Sequence, residues 1–397
     1  MRVAVVAEFY PREGDPVLGV WAHRQALAAR AAGADVQVMV LHRLVPSRAA
    51  AARGPRASLG ELARLLAQPL RQRRDGLTVH YVPFVSGPRA SHYAAWGAWA
   101  APPLAVALRA LRRSFAFDLI HAHNAVPAGD AVRRARIDVP CVVSVHGGDV
   151  LFTAPLVPGG APAVRAGLEA ARLVLANSAG IERLARAHGA GVTRVVHPGA
   201  DLESSVGRAG SPASGASWTL VTVGHLVGRK RHDDVVRAVA LLGERHPRLR
   251  YRVVGDGPEL EPLRRLAAEL GVADRVTLLG ARPPAAALRE LRDACLFVMP
   301  SVDEAFGVAY VEAMAAGVPA LGCENEPGPR DIAAAGPGLE LVASRDPVAL
   351  ATRIDALLTD RAALARLSAG ARETVARAFT WEHCGRDTVA AYAAALR

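Results

Sequence analysis

Apolar residues along this chain fall into two alternating patterns. Short unbroken runs at 3–7, 35–41, 77–82, 119–122, 140–145, 173–176 and 194–197 read as buried strands. Between them apolar positions recur at helical spacing, as at 21–32 and 179–187. The βαβ alternation predicts a parallel sheet with helices on both faces. It stops at 203–217, where Ser, Gly and Ala dominate and little could be buried. It resumes with strands at 218–223, 250–254, 275–279, 296–299, 318–322 and 339–342. The expected organisation is a first domain at 1–203, a linker at 204–217 and a second domain at 218–378. Two similar α/β halves place a ligand cleft between them, at the carboxyl ends of the strands. The last helical pattern, 381–396, follows both halves, so a terminal segment at 379–397 is expected to cross back onto the first.

A length of 397 residues lets each half bury its own core. The hydrophobic fraction of 51% with 21% charged residues is ordinary for a soluble globular enzyme. The first strand starts at once and breaks at Glu8, too short for a signal-peptide core. The most apolar window, 94–108, is broken by Pro102 and Pro103 and is not expected to span a bilayer. Cys141, Cys295, Cys323 and Cys384 are widely separated, which points to a reducing, cytoplasmic setting.

The net charge of +11 is unevenly placed. Residues 43–74 hold eight Arg against Glu61 alone, a local +7. Leu59, Leu62, Leu66 and Leu70 fall there at helical spacing, with Arg64 and Arg71 off that stripe. Two readings stand. A basic amphipathic helix can lie on anionic lipid, making 53–74 a peripheral contact at the inner face of the membrane. An Arg-rich solvated segment in an Arg-biased chain would look the same. Nucleic acid is not expected as a partner, since no aromatics interleave the patch and no binding module follows.

Candidate chemistry concentrates at 304–319. Glu304 and Glu312 bracket a small-residue turn directly after an apolar strand. A strand, a Gly-containing turn and a helix start aim free backbone N–H groups at an anion, while carboxylates accept from sugar hydroxyls. Phosphate with sugar hydroxyls describes a nucleotide sugar. Of the 48 Lys and Arg, one is lysine, Lys230 in the run Gly228-Arg229-Lys230-Arg231. Its compact ammonium suits a diphosphate beside the flat fork of Arg229. No D-x-D triplet, Walker lysine, H-E-x-x-H or G-x-S-x-G occurs. The leaving diphosphate is therefore expected to be neutralised by side chains and amides, without metal or cofactor, through Arg229, Lys230 and the backbone of Phe306, Gly307 and Val308. The Gly255-Asp256-Gly257-Pro258 run reads better as a turn capping a strand than as half a dinucleotide fingerprint.

The segment from Glu304 to Pro319 resembles the signature of retaining glycosyltransferases of family 4, which have the GT-B fold of two Rossmann-like domains facing across a cleft. Gly228-Arg229-Lys230, Met299-Pro300-Ser301, His146-Gly147-x-Asp149, Ala176-Asn177-Ser178 and Pro198-Gly199-x-Asp201 fit the same pattern. Within the family the chain looks like bacterial enzymes that build cell-wall or capsular polysaccharide. The resemblance implies transfer from a nucleotide-diphosphate sugar to a hydroxyl of a glycan, a lipid-linked glycan or a small molecule. It places Glu312 on the ribose, Glu304 on the transferred sugar, and Arg229 and Lys230 on the diphosphate. Phe306, Gly307 and Val308 add main-chain contacts, and Arg282 lies in a segment that cups the base. His146 would sit beside the reacting carbon, with Asp149 next to it on the acceptor side. Catalysis would rest on His146, Glu304 and Lys230.

Two departures stand out. His225 occupies a position where many members carry Arg, and the usual paired glycines of the first loop appear as Gly14 and Gly19. Gly19 can still approach the phosphates. The acidic, Pro-rich run from Glu324 to Asp331 has no assigned role. Alternatives are another GT-B enzyme, either a nucleotide-sugar epimerase or a phosphorylase with Lys230 as its cofactor lysine, and a non-catalytic sugar-binding subunit.

Overall fold

The computed structural model describes residues 1–12, 15–202 and 218–397. The expected linker at 204–217, and Gly14, lie outside the described residues.

The chain divides into two compact units, Met1–Pro198 with Trp381–Arg397, and Gly199–Thr380. The first unit carries strands β1 (Arg2–Ala7), β2 (Asp35–Arg43), β3 (Arg71–Arg74), β4 (Leu77–Phe84), β5 (Leu119–His123), β6 (Cys141–Val145), β7 (Leu173–Ala176) and β8 (Thr193–Val195). They form one sheet in the order β3-β4-β2-β1-β5-β6-β7-β8. Every described pairing in it is parallel except β3 with β4. The second unit carries β9 (Thr219–Val223), β10 (Arg250–Val254), β11 (Val276–Leu278), β12 (Leu296–Val298), β13 (Ala320–Cys323) and β14 (Leu339–Val342), in the parallel order β11-β10-β9-β12-β13-β14. In both, strand order reverses beside the first strand, the place where open α/β sheets bind ligands at the strands' carboxyl ends.

Fully buried strands explain the unbroken apolar runs. In β9, Leu220 packs with Val235, Val239 and Tyr251 on one face, while Val221 packs with Phe297, Tyr310 and Val375 on the other. Burying each such side chain contributes about 2 kcal/mol. In the first unit Val3, Val5, Val38 and Val79 share a core with Ala22 and Ala26 and with Ala391 and Tyr392. The terminal helix Trp381–Ala395 therefore belongs to the first unit's core. Gln25 Nε2 donates to its Thr388 hydroxyl at 3.0 Å, and its Tyr392 hydroxyl lies 2.7 Å from His121 Nδ1.

Three local expectations fail for identifiable reasons. Strand β3, Arg71-Gln72-Arg73-Arg74, has no apolar pattern because it is an edge strand, and charge is what protects an edge. The helix under the leucine stripe ends at Leu66, so Leu70 lies beyond it, past Pro69. Conversely, Pro102 and Pro103 do not break their segment: a helix runs from Trp96 to Ser114 through both. Burial of Leu104, Leu108 and Leu111 along it outweighs the backbone bonds the prolines remove. No helix among the described residues is long and apolar enough to cross a membrane.

Candidate active site

In the second unit the chain leaves β9 and makes a single turn at Gly228–Lys230 before the helix His232–Leu241. Arg231 pins that turn. It is left-handed (φ 54), and its guanidinium donates to both Asp234 carboxylate oxygens at 2.9 and 2.7 Å. Lys230 is thereby turned inward, 9% exposed, and its Nζ donates to Glu304 Oε2 at 2.5 Å. Arg229 brings an Nη1 to 3.6 Å from the same oxygen, and the Ser301 hydroxyl donates to it at 3.1 Å. Lys230, Arg229 and Glu304, some 75 residues apart in sequence, thus form one group.

The loop carrying Glu304 is held from behind. Its backbone N–H donates to Glu326 Oε2 at 2.6 Å, and its carbonyl accepts from the Gly328 N–H at 3.3 Å. The Tyr310 hydroxyl donates to the Met299 carbonyl and lies 3.2 Å from Ser301 Oγ. Glu326, in the acidic run without an assigned role, is therefore a positioning residue for Glu304. Only the fold shows this, because neither spacing nor pattern links the two carboxylates.

Burial pushes the Glu304 carboxyl up, but the charges of Lys230 and Arg229 and the hydrogen bonds from Lys230 and Ser301 outweigh it. The group is held below its ordinary value and is an anion at neutral pH. Burial instead dominates at Glu326 and raises it.

Gly307 closes the loop with φ 82 and begins the helix Val308–Ala315. A Cβ there would lie 2.4 Å from the Tyr310 ring, so only glycine turns this corner. Phe306 is buried, its ring 5.8 Å from that of Phe379. Glu312 lies one turn into the helix, exposed. Arg282 is exposed beyond β11, and the structure does not bring its side chain into the Lys230–Glu304 group; its neighbour Gly280 accepts from the Gly255 N–H at 3.0 Å. His225 is exposed, with Nδ1 2.7 Å from the Asp256 carbonyl.

In the first unit the ends of β5 and β6 carry neutral groups. His146 follows β6, and its Nε2 lies 2.9 Å from Nδ1 of His123, the last residue of β5; the two rings are parallel to within 4°. His121, two residues earlier on the same face, holds Ser144 Oγ and the Tyr392 hydroxyl at 2.7 Å each. Burial drives all three imidazoles down, His146 to about 4 and His121 to about 3, so each is uncharged at neutral pH. His123 and His121 were not singled out from the sequence, although an H-x-H at a strand end is a readable signal. The buried His123 Nε2 has no hydrogen-bond partner among the described residues. One of His123 Nδ1 and His146 Nε2 carries the proton shared between them, so each ring sets the other's tautomer.

Asp149 is 1% exposed, and its two oxygens accept from the Ala125 and Val126 N–H groups at 3.0 and 3.1 Å. That geometry anchors the turn after β5 and leaves no carboxylate oxygen turned outward; Asp149 positions rather than contacts. Burial raises it to about 7. Gly19, left-handed at φ 63, starts the helix Val20–Ala31, and a Cβ on it would lie 2.2 Å from the Phe9 carbonyl. Trp21 follows, its ring centroid 6.1 Å from that of His146.

Chemically, the second unit offers two cations, a helix start and a fixed carboxylate, which suits a phosphate next to hydroxyls. The first offers a neutral imidazole in a dry setting.

The family model "Glycosyl transferases group 1" matches residues 208–374, and "Glycosyltransferase Family 4" matches residues 17–204. The chain is 32% identical over 306 residues to D-inositol 3-phosphate glycosyltransferase of Nocardia farcinica, covering 70% of this chain and 67% of that one. It is 32% identical over 315 residues to D-inositol 3-phosphate glycosyltransferase 1 of Catenulispora acidiphila, covering 72% and 74%. Among solved structures, sucrose-phosphate synthase of Thermosynechococcus elongatus superposes with a TM-score of 0.76 at 21% identity, over 99% of this chain and 98% of that one. HepE of Anabaena in complex with UDP superposes at 0.71 and 19% identity, over 99% and 100%. At these identities the structural likeness establishes the GT-B fold.

Proposed function

Because the chain belongs to glycosyltransferase family 4 and is a glycosyltransferase using a nucleotide sugar, we propose that it retains the donor's anomeric configuration and needs neither metal nor cofactor. The donor binds the second unit, and the acceptor, a glycan, lipid-linked glycan or small-molecule hydroxyl, binds the first. The product enters cell-surface polysaccharide. The observation that carries this reading is the convergence of Lys230 and Arg229 on Glu304 beside the Gly307 helix start.

In the proposed step, the bond from the sugar's anomeric carbon to the diphosphate oxygen breaks and a bond to the acceptor oxygen forms on the same face. The acceptor's proton passes to the departing phosphate oxygen. Lys230, Arg229 and the Val308 amide stabilise the charge that develops on the diphosphate, each donor contributing about 3 kcal/mol in a dry site. Glu304 accepts from hydroxyls of the transferred sugar and Glu312 from the ribose. Arg282 lies with the base. His146, uncharged, offers the sugar a neutral hydrogen bond without competing for the acceptor's proton. A side-chain base is not required. Gly19 brings the first loop's backbone close to the phosphates.

UDP-glucose is the first donor to test, since HepE has been solved with it. A bound donor raises the melting temperature by mass action. Replacing Lys230 with Ala should abolish that shift and lower transfer by about 10² to 10³; full transfer by a folded Lys230→Ala protein defeats the proposal. Product formation that survives EDTA, with the anomeric proton coupling of the donor preserved in the product, tests metal independence and retention. Residues 53–74 are proposed to hold the protein at an anionic membrane surface.

A further inference from the structure

The most basic segment of the chain folds as an uncovered helix beside an open groove. Helix Pro55–Leu66 buries none of its residues, and Leu59 and Leu66 are 65% and 62% exposed. Just beyond it Leu70, 62% exposed, forms one lip of an apolar groove of about 530 Å³. The other lip is the helix Trp96–Ser114, which presents Pro103, Val106 and Ala110, with Val106 69% exposed. Trp99, four residues before Pro103 on the same stripe, is also exposed. Single exposed apolar residues are ordinary, but Leu70 and Val106 open into one groove with Pro103 and Ala110.

Charge decides what covers it. Arg48, Arg53, Arg56, Arg64, Arg71 and Arg73 are all exposed along the same segment. A second copy of a chain with net charge +11 would set this field against itself. A leaflet containing anionic phospholipid supplies both things the face lacks, phosphates for the arginines and hydrocarbon for the leucines. Tryptophan at the boundary between them is the usual arrangement.

We infer that the first unit docks on anionic phospholipid through this face, drawing an acyl chain into the groove between Leu70 and Val106. The inference rests on reading 53–74 as a membrane contact and adds to it a chain-binding site on a separate helix. Membrane affinity is then set by two elements, the arginines reading phosphate and the groove reading hydrocarbon.

Co-sedimentation with phosphatidylcholine vesicles, with and without phosphatidylglycerol, tests it together with tryptophan quenching by brominated acyl chains. Wild-type protein should sediment with the mixed vesicles alone, and its emission should be quenched. Trp99→Phe should remove most of the quenching without affecting sedimentation. Leu70→Asp and Val106→Asp, both at exposed positions, should weaken partitioning at least about tenfold and abolish quenching. Arg71→Gln with Arg73→Gln should weaken it less and lower its salt sensitivity. Failure of the wild type to bind mixed vesicles overturns the inference. So does Val106→Asp protein that binds and is quenched as before, or a wild-type dimer that Val106→Asp converts to monomer. Each variant should keep its UDP-glucose melting shift, which shows that it is folded; loss of that shift in the wild type counts against the donor reading alone.

Discussion

The turn after β9 in the second unit and the ends of β5 and β6 in the first are built on opposite electrostatic plans. The former carries formal charge, an ammonium 2.5 Å from a buried carboxylate with a guanidinium 3.6 Å away. The latter carry imidazoles that burial keeps neutral and, just beyond them, a carboxyl that burial raises to about 7. The contrast fits a division of labour. A leaving diphosphate needs cations set in place beforehand, because reorganising them during reaction costs barrier height. An acceptor hydroxyl needs orientation and dryness, which neutral hydrogen-bonding groups supply without attracting water.

The largest test of this contrast removes the charge. Lys230→Ala leaves the buried Glu304 anion with only the more distant Arg229 guanidinium and the Ser301 hydroxyl, which should cost about 3 kcal/mol of stability and lower transfer by about 10² to 10³. Adding Glu304→Gln should recover most of the stability in a denaturant titration and none of the activity. If the double variant is as unstable as the single one, the pair is not what stabilises the site.

Next in size is the support behind Glu304. Glu326→Ala frees the Glu304 N–H and should lower kcat/KM for the donor about tenfold. An unchanged value would show that the loop holds its shape without it.

On the neutral side, His123→Asn removes the partner that sets the His146 tautomer and should lower kcat several-fold while sparing donor KM. A tautomer-sensitive nitrogen NMR signal of His146 should change with it. Since burial holds His146 near 4, the pH–rate profile should show no histidine limb between about pH 5 and 8. A limb near the ordinary imidazole value that persists in Asp149→Asn protein would break the comparison outright.

The smallest effect on transfer belongs to Asp149, whose readout is stability. Folding raises it from 3.8 to about 7, so the native state holds a proton the unfolded chain releases. Its contribution to stability is complete below 3.8 and is lost as pH rises through about 7. Asp149→Asn, which cannot ionise, should lack that slope when urea midpoints are compared across the range.

How much of this was legible follows the same division. The α/β class and the restart of the alternation after the first half came from uninterrupted apolar runs, because a strand buried on both faces admits few polar residues, and the terminal helix came from its helical pattern. Lys230 and Glu304 were legible because charge at a strand-to-helix turn is unusual and the chain holds a single lysine. Strand β3 was not, since edge protection and a solvated loop select the same arginines. The helix through Pro102 and Pro103 was not, because its stability comes from packing against residues distant in sequence.

By itself the sequence determined where the buried strands and most helices fall, through periodicity, and which side chains could meet a diphosphate, through their charge. Only the tertiary structure decided that Glu326 holds Glu304, that His123 faces His146, and that Asp149 turns inward to backbone amides. Hydrogen bonds reach about 3 Å and are blind to separation along the chain. Such partners become visible only once folding has brought distant strand ends side by side.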